Sequence, residues 1–564
     1  MMTRTTRLIV STTAVAAAAV LASGCGAYGA SGVRFKNADP VWKVNDRNNI
    51  AKPEDPGFPK ILYYFDRFVF RRTTRLMEIP EAERAANVNA LDEVPDSTWF
   101  TNRIHLRGLT PEQVRRGPNV DDGPSRDGKW IIRGTKIGGS SVGLIMKDSR
   151  DITYILKFDE NGIPEMETAA NVIVQRLMWA AGYNVPEDNI VIFERDQLEL
   201  ARDAKVSDTF GNKRQMTEKD LEDALARVNV NPDGSYRGMA SKFLQGVPVG
   251  GVDPEGTRDD DPNDVVDHEE RRELRGSYVI FSWVDNTDVK YDNMLDMWVE
   301  DPEDPNVHYV MHYLVDFGKA LGAMGWIERR PGDGFAYVID FEYMLYSTFT
   351  LGLWQRPWEG ADGPPLRGVA KLEGDRFEAD NWRPQYPWEP YHRRDRFDGY
   401  WGAKIVAAFT DEHIRAAVDA GQYSDPRSAE YIAETLIARR RKIAQHWFRE
   451  VTPLDHFTID AEGILCFDDL SVVYGTEWTS HLTTYSAEVF DYDGNRLNWT
   501  TRVEQGNARD RTACVSGFPT GAARDGYTIV KIATHRPEVP QRPVEAHLAT
   551  GEDGALRIVG VHRH

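Results

Sequence analysis

The chain has 564 residues, 41% apolar and 28% charged, which suits two large domains or three to four average ones and allows at least one substantial core. Its 88 acidic and 68 basic residues give a formal charge of −20. That excludes general nucleic-acid binding, which needs a cationic surface to displace counterions, and argues against adsorption of the folded body on anionic lipid. The acidity reads as a solubility feature.

In chain order, the first 25 residues read as a targeting segment. Arg4 and Arg7 form a basic start, and "LIVSTTAVAAAAVL" (8–21) is apolar but too short to span a bilayer comfortably. "ASGC" then places small residues directly before Cys25. This resembles the lipobox of bacterial lipoproteins, except that Ala22 stands where a branched apolar residue is usual. The resemblance implies cleavage before Cys25 and a diacylglycerol on its thiol. It implies a lipid-anchored protein of the bacterial cell envelope, at the outer membrane, facing the periplasm or on the surface. An ordinary secretory signal is the alternative. Residues 26–60, rich in Pro, Asn, Lys and Asp, read as a tether.

Strand signals then cluster in "KWIIRGT" (129–135), "VGLIMKD" (142–148) and "ITYILKFD" (152–159), separated by Gly and Asp turns as in an antiparallel meander. Val172, Gln175, Arg176 and Trp179 alternate with Ile173, Leu177 and Met178 at helical spacing, and Gly182 ends that run. "IVIFERDQL" (190–198) is a further strand, and Thr217 with Asp220 three residues on starts a short helix. A charged insert (255–274) feeds the apolar "RGSYVIFSWVD" (275–285). From 400 to 450 the pattern is helical, with a Thr410 cap, a Gly421 stop, and Ile432, Leu436, Ile443 and Trp447 on one stripe. After Pro453 short alternating runs are broken by Gly, Asn and Asp. The expected fold class is α+β: a β-rich lobe over 61–200, a helical lobe with insertions over 201–452, and a small all-β sandwich over 453–564. Cys466 and Cys514 form one disulfide or remain two buried thiols. His308 and His312 lie in a strand pattern without the helical context of a zinc motif.

The chemistry-bearing residues suit phosphoryl transfer, in which catalysis is mostly positioning and charge neutralisation. In "RGTKIGGSSVG" (133–143), Gly138 and Gly139 let backbone amides approach phosphate oxygens, and Ser140 and Ser141 can donate hydrogen bonds. Lys157 alternates with apolar neighbours on a strand. In "DNTDVKYDNML" (285–295), Asp288 and Asn293 are five apart. In "HYLVDFGKALG" (312–322), Asp316 follows a strand pattern and precedes Phe-Gly. The 23 residues from Asn293 to Asp316 fit two strands joined by "EDPEDPNV". That spacing offers a carboxylate for the substrate proton and two oxygen ligands for a cation.

"TDVKYDNML" and "VDFGKALG" resemble the catalytic and metal-binding loops of phosphatidylinositol 3- and 4-kinases, in a protein-kinase-like superfamily that includes HipA-type kinases. The stretch 261–288 also resembles a group of bacterial exported lipoproteins. Over about residues 128–320 the resemblance implies ATP with Mg²⁺ or Mn²⁺. It makes Asp288 the catalytic Asp, Asn293 and Asp316 the metal ligands, and Lys157 the phosphate-binding Lys. Three departures stand out. Lys290 replaces a His, and either stabilises charge on the transferred phosphate or is a surface residue. Asn171 occupies the position of the Glu expected to pair with the Lys, leaving Glu167 and Glu165 as substitutes. The glycine loop does not follow the protein-kinase pattern.

Two other readings compete. In one, the two acids and the Asn only cap turns and pair with Arg271, Arg272 or Arg275. Alternatively the chain is a catalytically silent kinase-fold lipoprotein, binding an unknown protein, lipid or sugar in the envelope. Then "GLWQRPWEGADGPP" (352–365) and "NWRPQYPWEPYHRRD" (381–395) stack on sugars or peptides, unless they pack over the helical lobe. A hydrolase has little support: there is no zincin motif and no matched carboxylate pair in a defined context.

Overall fold

The computed structural model describes residues 29–57, 60–75, 83–135, 142–207, 213–324, 332–360, 363–476, 480–508, 511–517, 526–537, 541–552 and 554–564. The fold is α+β, as expected, with a sheet-rich first part, a helical middle and small sheets at the C-terminus. It divides into two compact units: Val41–Asn89 with Glu93–Glu450, and Met1–Pro40 with Ala90–Asp92 and Val451–His564.

The larger unit begins with a sheet of β1 (Trp130–Thr135), β2 (Gly143–Lys147), β3 (Thr153–Phe158), β4 (Asp188–Phe193), β5 (Leu198–Ser207), β6 (Lys213–Gln215) and β7 (Tyr236–Lys242). The order is β4-β7-β3-β2-β1-β5-β6. β1, β2 and β3 form the expected antiparallel meander, whereas β5 returns parallel to β1. The sheet therefore continues well past residue 200, to Lys242. One face buries alternate residues such as Ile132, Leu144, Leu156 and Phe158, together with Leu221 and Leu225. Those two leucines come from a short helix, Glu218–Leu225, closed by a Thr217/Asp220 capping box.

α1 (Met166–Ala181) is buried along its whole length except at Trp179. It is a central helix, so the apolar stripe seen in the sequence marks only part of what it buries. Its polar side chains are paired instead of solvated: Gln175 Nε2 donates to the Pro186 carbonyl at 2.5 Å, and Arg176 Nε to that of Arg115 at 2.8 Å.

β8 (Val247–Pro248), β9 (Met294–Glu300) and β10 (His308–Leu314) form a small antiparallel sheet, with the fully buried α2 (Arg272–Trp283) between β8 and β9 in the chain. Beyond it come α3 (Phe341–Phe349), α4 (Arg396–Ala407), α5 (Asp411–Asp419) and α6 (Pro426–Glu450). α5 carries the expected Thr410 cap, and Ile432, Leu436, Ile443 and Trp447 of α6 are all buried. Part of the stretch read as a tether lies along this unit. The Ile50 amide donates to the His308 carbonyl at 2.9 Å, and the Ile50 side chain is buried with Val249 and Val310.

The smaller unit is two antiparallel four-stranded sheets. One is ordered β11 (Leu454–Ile459), β12 (Leu465–Asp469), β15 (Arg511–Ser516), β14 (Arg502–Ala508). The other is β13 (Thr484–Phe490), β16 (Tyr527–His535), β17 (Val544–Thr550), β18 (Leu556–Arg563). Leu465, Phe467 and Val515 of the first sheet share one core with Val489, Ile532 and Ala546 of the second. Cys466 and Cys514 lie directly opposite in register and are joined by a disulfide.

Candidate functional site

The register of the β9–β10 hairpin builds the site. Leu314 pairs with Met294, so Asn293 and Val315 adjoin just outside the ladder, and the Val315 amide donates to the Asn293 carbonyl at 3.0 Å. Asp316 follows with φ 61°, a left-handed backbone that L-residues adopt at a cost and that recurs where a side chain is aimed for function. The 22 residues between Asn293 and Asp316 are thus spent on one hairpin.

β3 supplies Lys157. Leu156 and Phe158 enter the core of the sheet, so the intervening lysine emerges on the other face. Its Nζ donates to Asp316 Oδ1 at 2.7 Å, although only 6% of the residue is exposed. Burial disfavours the ammonium charge, but the carboxylates of Asp316 and Glu167 outweigh it and hold the Lys157 pKa above its ordinary value.

Asp288 sits in the loop after α2, buried and surrounded by cations. Its Oδ2 lies 3.0 Å from Lys319 Nζ and 3.1 Å from Lys290 Nζ, and accepts from Asn293 Nδ2 at 3.0 Å. The same amide donates to the Asp288 carbonyl at 2.6 Å, which locks the loop's two ends together. Burial pushes the Asp288 pKa up, but the two lysines prevail and hold it below the usual carboxylate range. Its other oxygen, Oδ1, is buried with no hydrogen-bond partner among the described residues. Arg271, Arg272 and Arg275 are engaged elsewhere, with Asp264 at 2.6 Å, with Asp398 at 3.2 Å and with the Glu83 carbonyl at 2.8 Å.

The position expected to hold an acid does something different. Asn171 Oδ1 accepts from the Phe317 amide at 2.9 Å, and its Nδ2 donates to Asp188 Oδ2 at 2.5 Å. It fixes the turn that aims Asp316, and its neutrality suits the buried Asp188, which burial pushes up to about 6. Glu167, one turn earlier, supplies the negative charge near Lys157. It lies so close to the turn that a Cβ on Gly318 would stand 2.7 Å from Glu167 Cγ. Glu165 is not part of this group: it accepts from Arg367 and from the Ser424 amide, both at 2.9 Å.

Sequence reasoning missed Lys319 and Asp188. Lys319 had a signal, since it follows Asp-Phe-Gly directly. Asp188 had none, because only the pairing of β4 with β7, and of β7 with β3, brings it near Lys157. Gly138, Gly139 and Ser140 lie outside the described residues, as does Cys25. β2 begins at Gly143, directly opposite Lys157, so the β1–β2 connection joins the sheet at the Lys157 end. That connection also contains "GSSVG" (139–143), which has the spacing of a nucleophile elbow. It leads into a strand, where such an elbow needs a helix.

The donors suit a hard divalent cation. Asp316, Asn293 and the unpartnered Asp288 Oδ1 offer carboxylate and amide oxygens without thiolate or imidazole, the chemistry that Mg²⁺ and Mn²⁺ prefer. No group of three or more His, Cys, Asp or Glu placed to hold a metal occurs among the described residues. The candidate set is two acids and an amide. The aromatic stretch 381–395 buries Trp382, Trp388 and Tyr391 and is structural, whereas Trp354 and Trp358 of the stretch 352–365 are half-buried.

No family model and no curated protein matches the chain. Among the solved structures similar over part of its length are two of the Golgi casein kinase. One is a crystal structure of the Golgi casein kinase with Mn/ADP bound, 11% identical, TM-score 0.27, covering 58% of this chain and 72% of that one. The other is a crystal structure of the Golgi casein kinase, 11% identical, TM-score 0.28, covering 71% of this chain and 94% of that one. Scores this low carry no argument about the chemistry of this chain.

Proposed function

We propose that this chain is an exported, lipid-anchored kinase-like protein that uses ATP with Mg²⁺ or Mn²⁺ to phosphorylate an acceptor. The observation that supports this most is the convergence of Lys157, Asp316, Asn293 and Asp288 at the ends of β3, β9, β10 and the loop after α2. A nucleotide with its cation supplies a transferable phosphoryl group with partly neutralised charge. Asp316 and Asn293 hold the cation through oxygen, and Lys157 binds the phosphates. Asp316 and Glu167 favour the charged form of Lys157. Asp288 orients an acceptor hydroxyl and takes its proton at the carboxylate, while Lys290 and Lys319 offset negative charge beside it.

One observation favours a catalytically silent envelope-binding protein instead. Lys157 pairs directly with Asp316, the residue assigned to the cation, while a neutral Asn171 holds the position of the expected acid. Transfer of labelled γ-phosphate to the protein itself or to envelope extract, with Mn²⁺ present, separates the two. Phosphotransfer predicts labelling that falls about 100-fold or more in Asp288→Ala, the scale of losing a positioned proton acceptor. Labelling at background in the wild type, or undiminished in Asp288→Ala, supports the silent protein.

A further inference from the structure

The larger unit carries an apolar projection that the phosphotransfer reading does not use. α3 has no buried residue; Phe349 at its end is 82% exposed, and Leu351 and Leu353 in the turn after it are 90% and 89% exposed. Met344 and Leu345 are each 55% exposed on the helix itself. Single exposed leucines are ordinary, but a contiguous group of this size is not. The helical segment 60–75 also exposes Leu62, Phe65 and Phe70. Arg72 ties that segment to α3: its Nη1 donates to the Ile339 carbonyl at 2.9 Å, and its guanidinium lies 5.4 Å from the Phe341 ring.

We propose that this projection seats the protein in the surface of a bilayer of low net charge, independently of the phosphotransfer reading. Three observations select lipid as the occupant. Tyr343–Gln355 contains no charged residue, which matches an uncharged surface and not the anionic one that the −20 net charge opposes. The apolar tip is an almost fully exposed turn, with Leu351 and Gly352 at φ 51° and 80°, and neither Leu351 nor Leu353 lines the groove that Tyr343, Met344 and Trp358 form beside α3. Behind the tip, Trp354 packs at a tilt against Tyr343 and Tyr346 with ring centroids 5.1 and 5.5 Å apart, and Trp358 lies 5.7 Å from Tyr343. Amphipathic rings behind an aliphatic tip match the order of headgroup and acyl layers at a membrane interface. The diacylglycerol proposed on Cys25 is chemistry for the same medium.

The test places an environment-sensitive fluorophore on Leu351→Cys in the full chain with Cys25→Ser. Cys466 and Cys514 are disulfide-bonded, so the new thiol labels alone. Phosphatidylcholine vesicles are expected to raise and blue-shift the emission severalfold, and acyl-brominated phosphatidylcholine to quench it. A label at Lys219→Cys, on the exposed face of the 218–225 helix, stays unchanged. Emission at 351 indifferent to vesicles overturns the proposal, whether or not the protein is held on them by another segment. A rise that tracks protein concentration without vesicles overturns it in favour of a second copy. No nucleotide is present, so a failed phosphotransfer assay leaves this result untouched.

Discussion

Asp188 shows how burial tunes a single residue beside the site. The carboxyl is buried at the start of β4, held by Asn171 and within the field of Lys157, and burial pushes its pKa up to about 6. In the unfolded chain an Asp titrates near 3.9. The folded state therefore holds its proton more tightly, so this contribution is fully present below about pH 4 and is lost as pH rises through about 6. The shift of about two units corresponds to about 3 kcal/mol. Asp188→Asn is expected to remove that dependence. The difference in urea midpoint between variant and wild type should grow in the variant's favour from pH 4 to 6 and level off above. A difference that stays constant across this window would show that Asp188 titrates normally. At this scale, Asp288, Asn293, Asp316 and Lys157 were legible because each sits in a fixed local spacing. Asp188 was not, because its role depends on two strand pairings between residues distant in sequence.

Helix α1 is the element on which the site's geometry depends, since it carries both Glu167 and Asn171. Its C-terminus is set by Gly182, whose φ of 136° is strained for any L-residue. The Gly182 amide donates to the carbonyls of Met178 and Trp179, both at 3.1 Å, and a Cβ there would stand 2.2 Å from the Phe100 ring. Gly182→Ala is expected to destabilise the larger unit by about 2–4 kcal/mol through backbone strain and overpacking. A lowered urea midpoint checks this, and one within error of wild type would show that the Phe100 contact yields freely. Helix starts were legible at Thr217 and Thr410, each ahead of a residue able to close a capping box, whereas the same box at Thr110 and Gln113 went unread. The depth of α1 was not, because buried Gln175 and Arg176 find backbone partners and so imitate a solvated face.

For the whole molecule, the order of a β-rich part, a helical part and a closing β module could be read from changing periodicity. The extent of the first sheet could not, since β5 joins β1 in parallel after a long excursion and β7 inserts between β3 and β4. Local pattern carries no information about such pairings. The hairpin that brings Asn293 to Asp316 was legible because its partners are close in sequence. That hairpin, with β3, brings Lys157, Asp316 and Asn293 together, and their use can be tested directly by thermal unfolding with ATP and Mn²⁺. A ligand at 100 times its Kd stabilises the native state by about 2.7 kcal/mol. The prediction is a rise of a few degrees in melting temperature that requires nucleotide and cation together and disappears in Asp316→Ala. No rise with any nucleotide in Mg²⁺ or Mn²⁺, or a rise that survives Asp316→Ala intact, would contradict it.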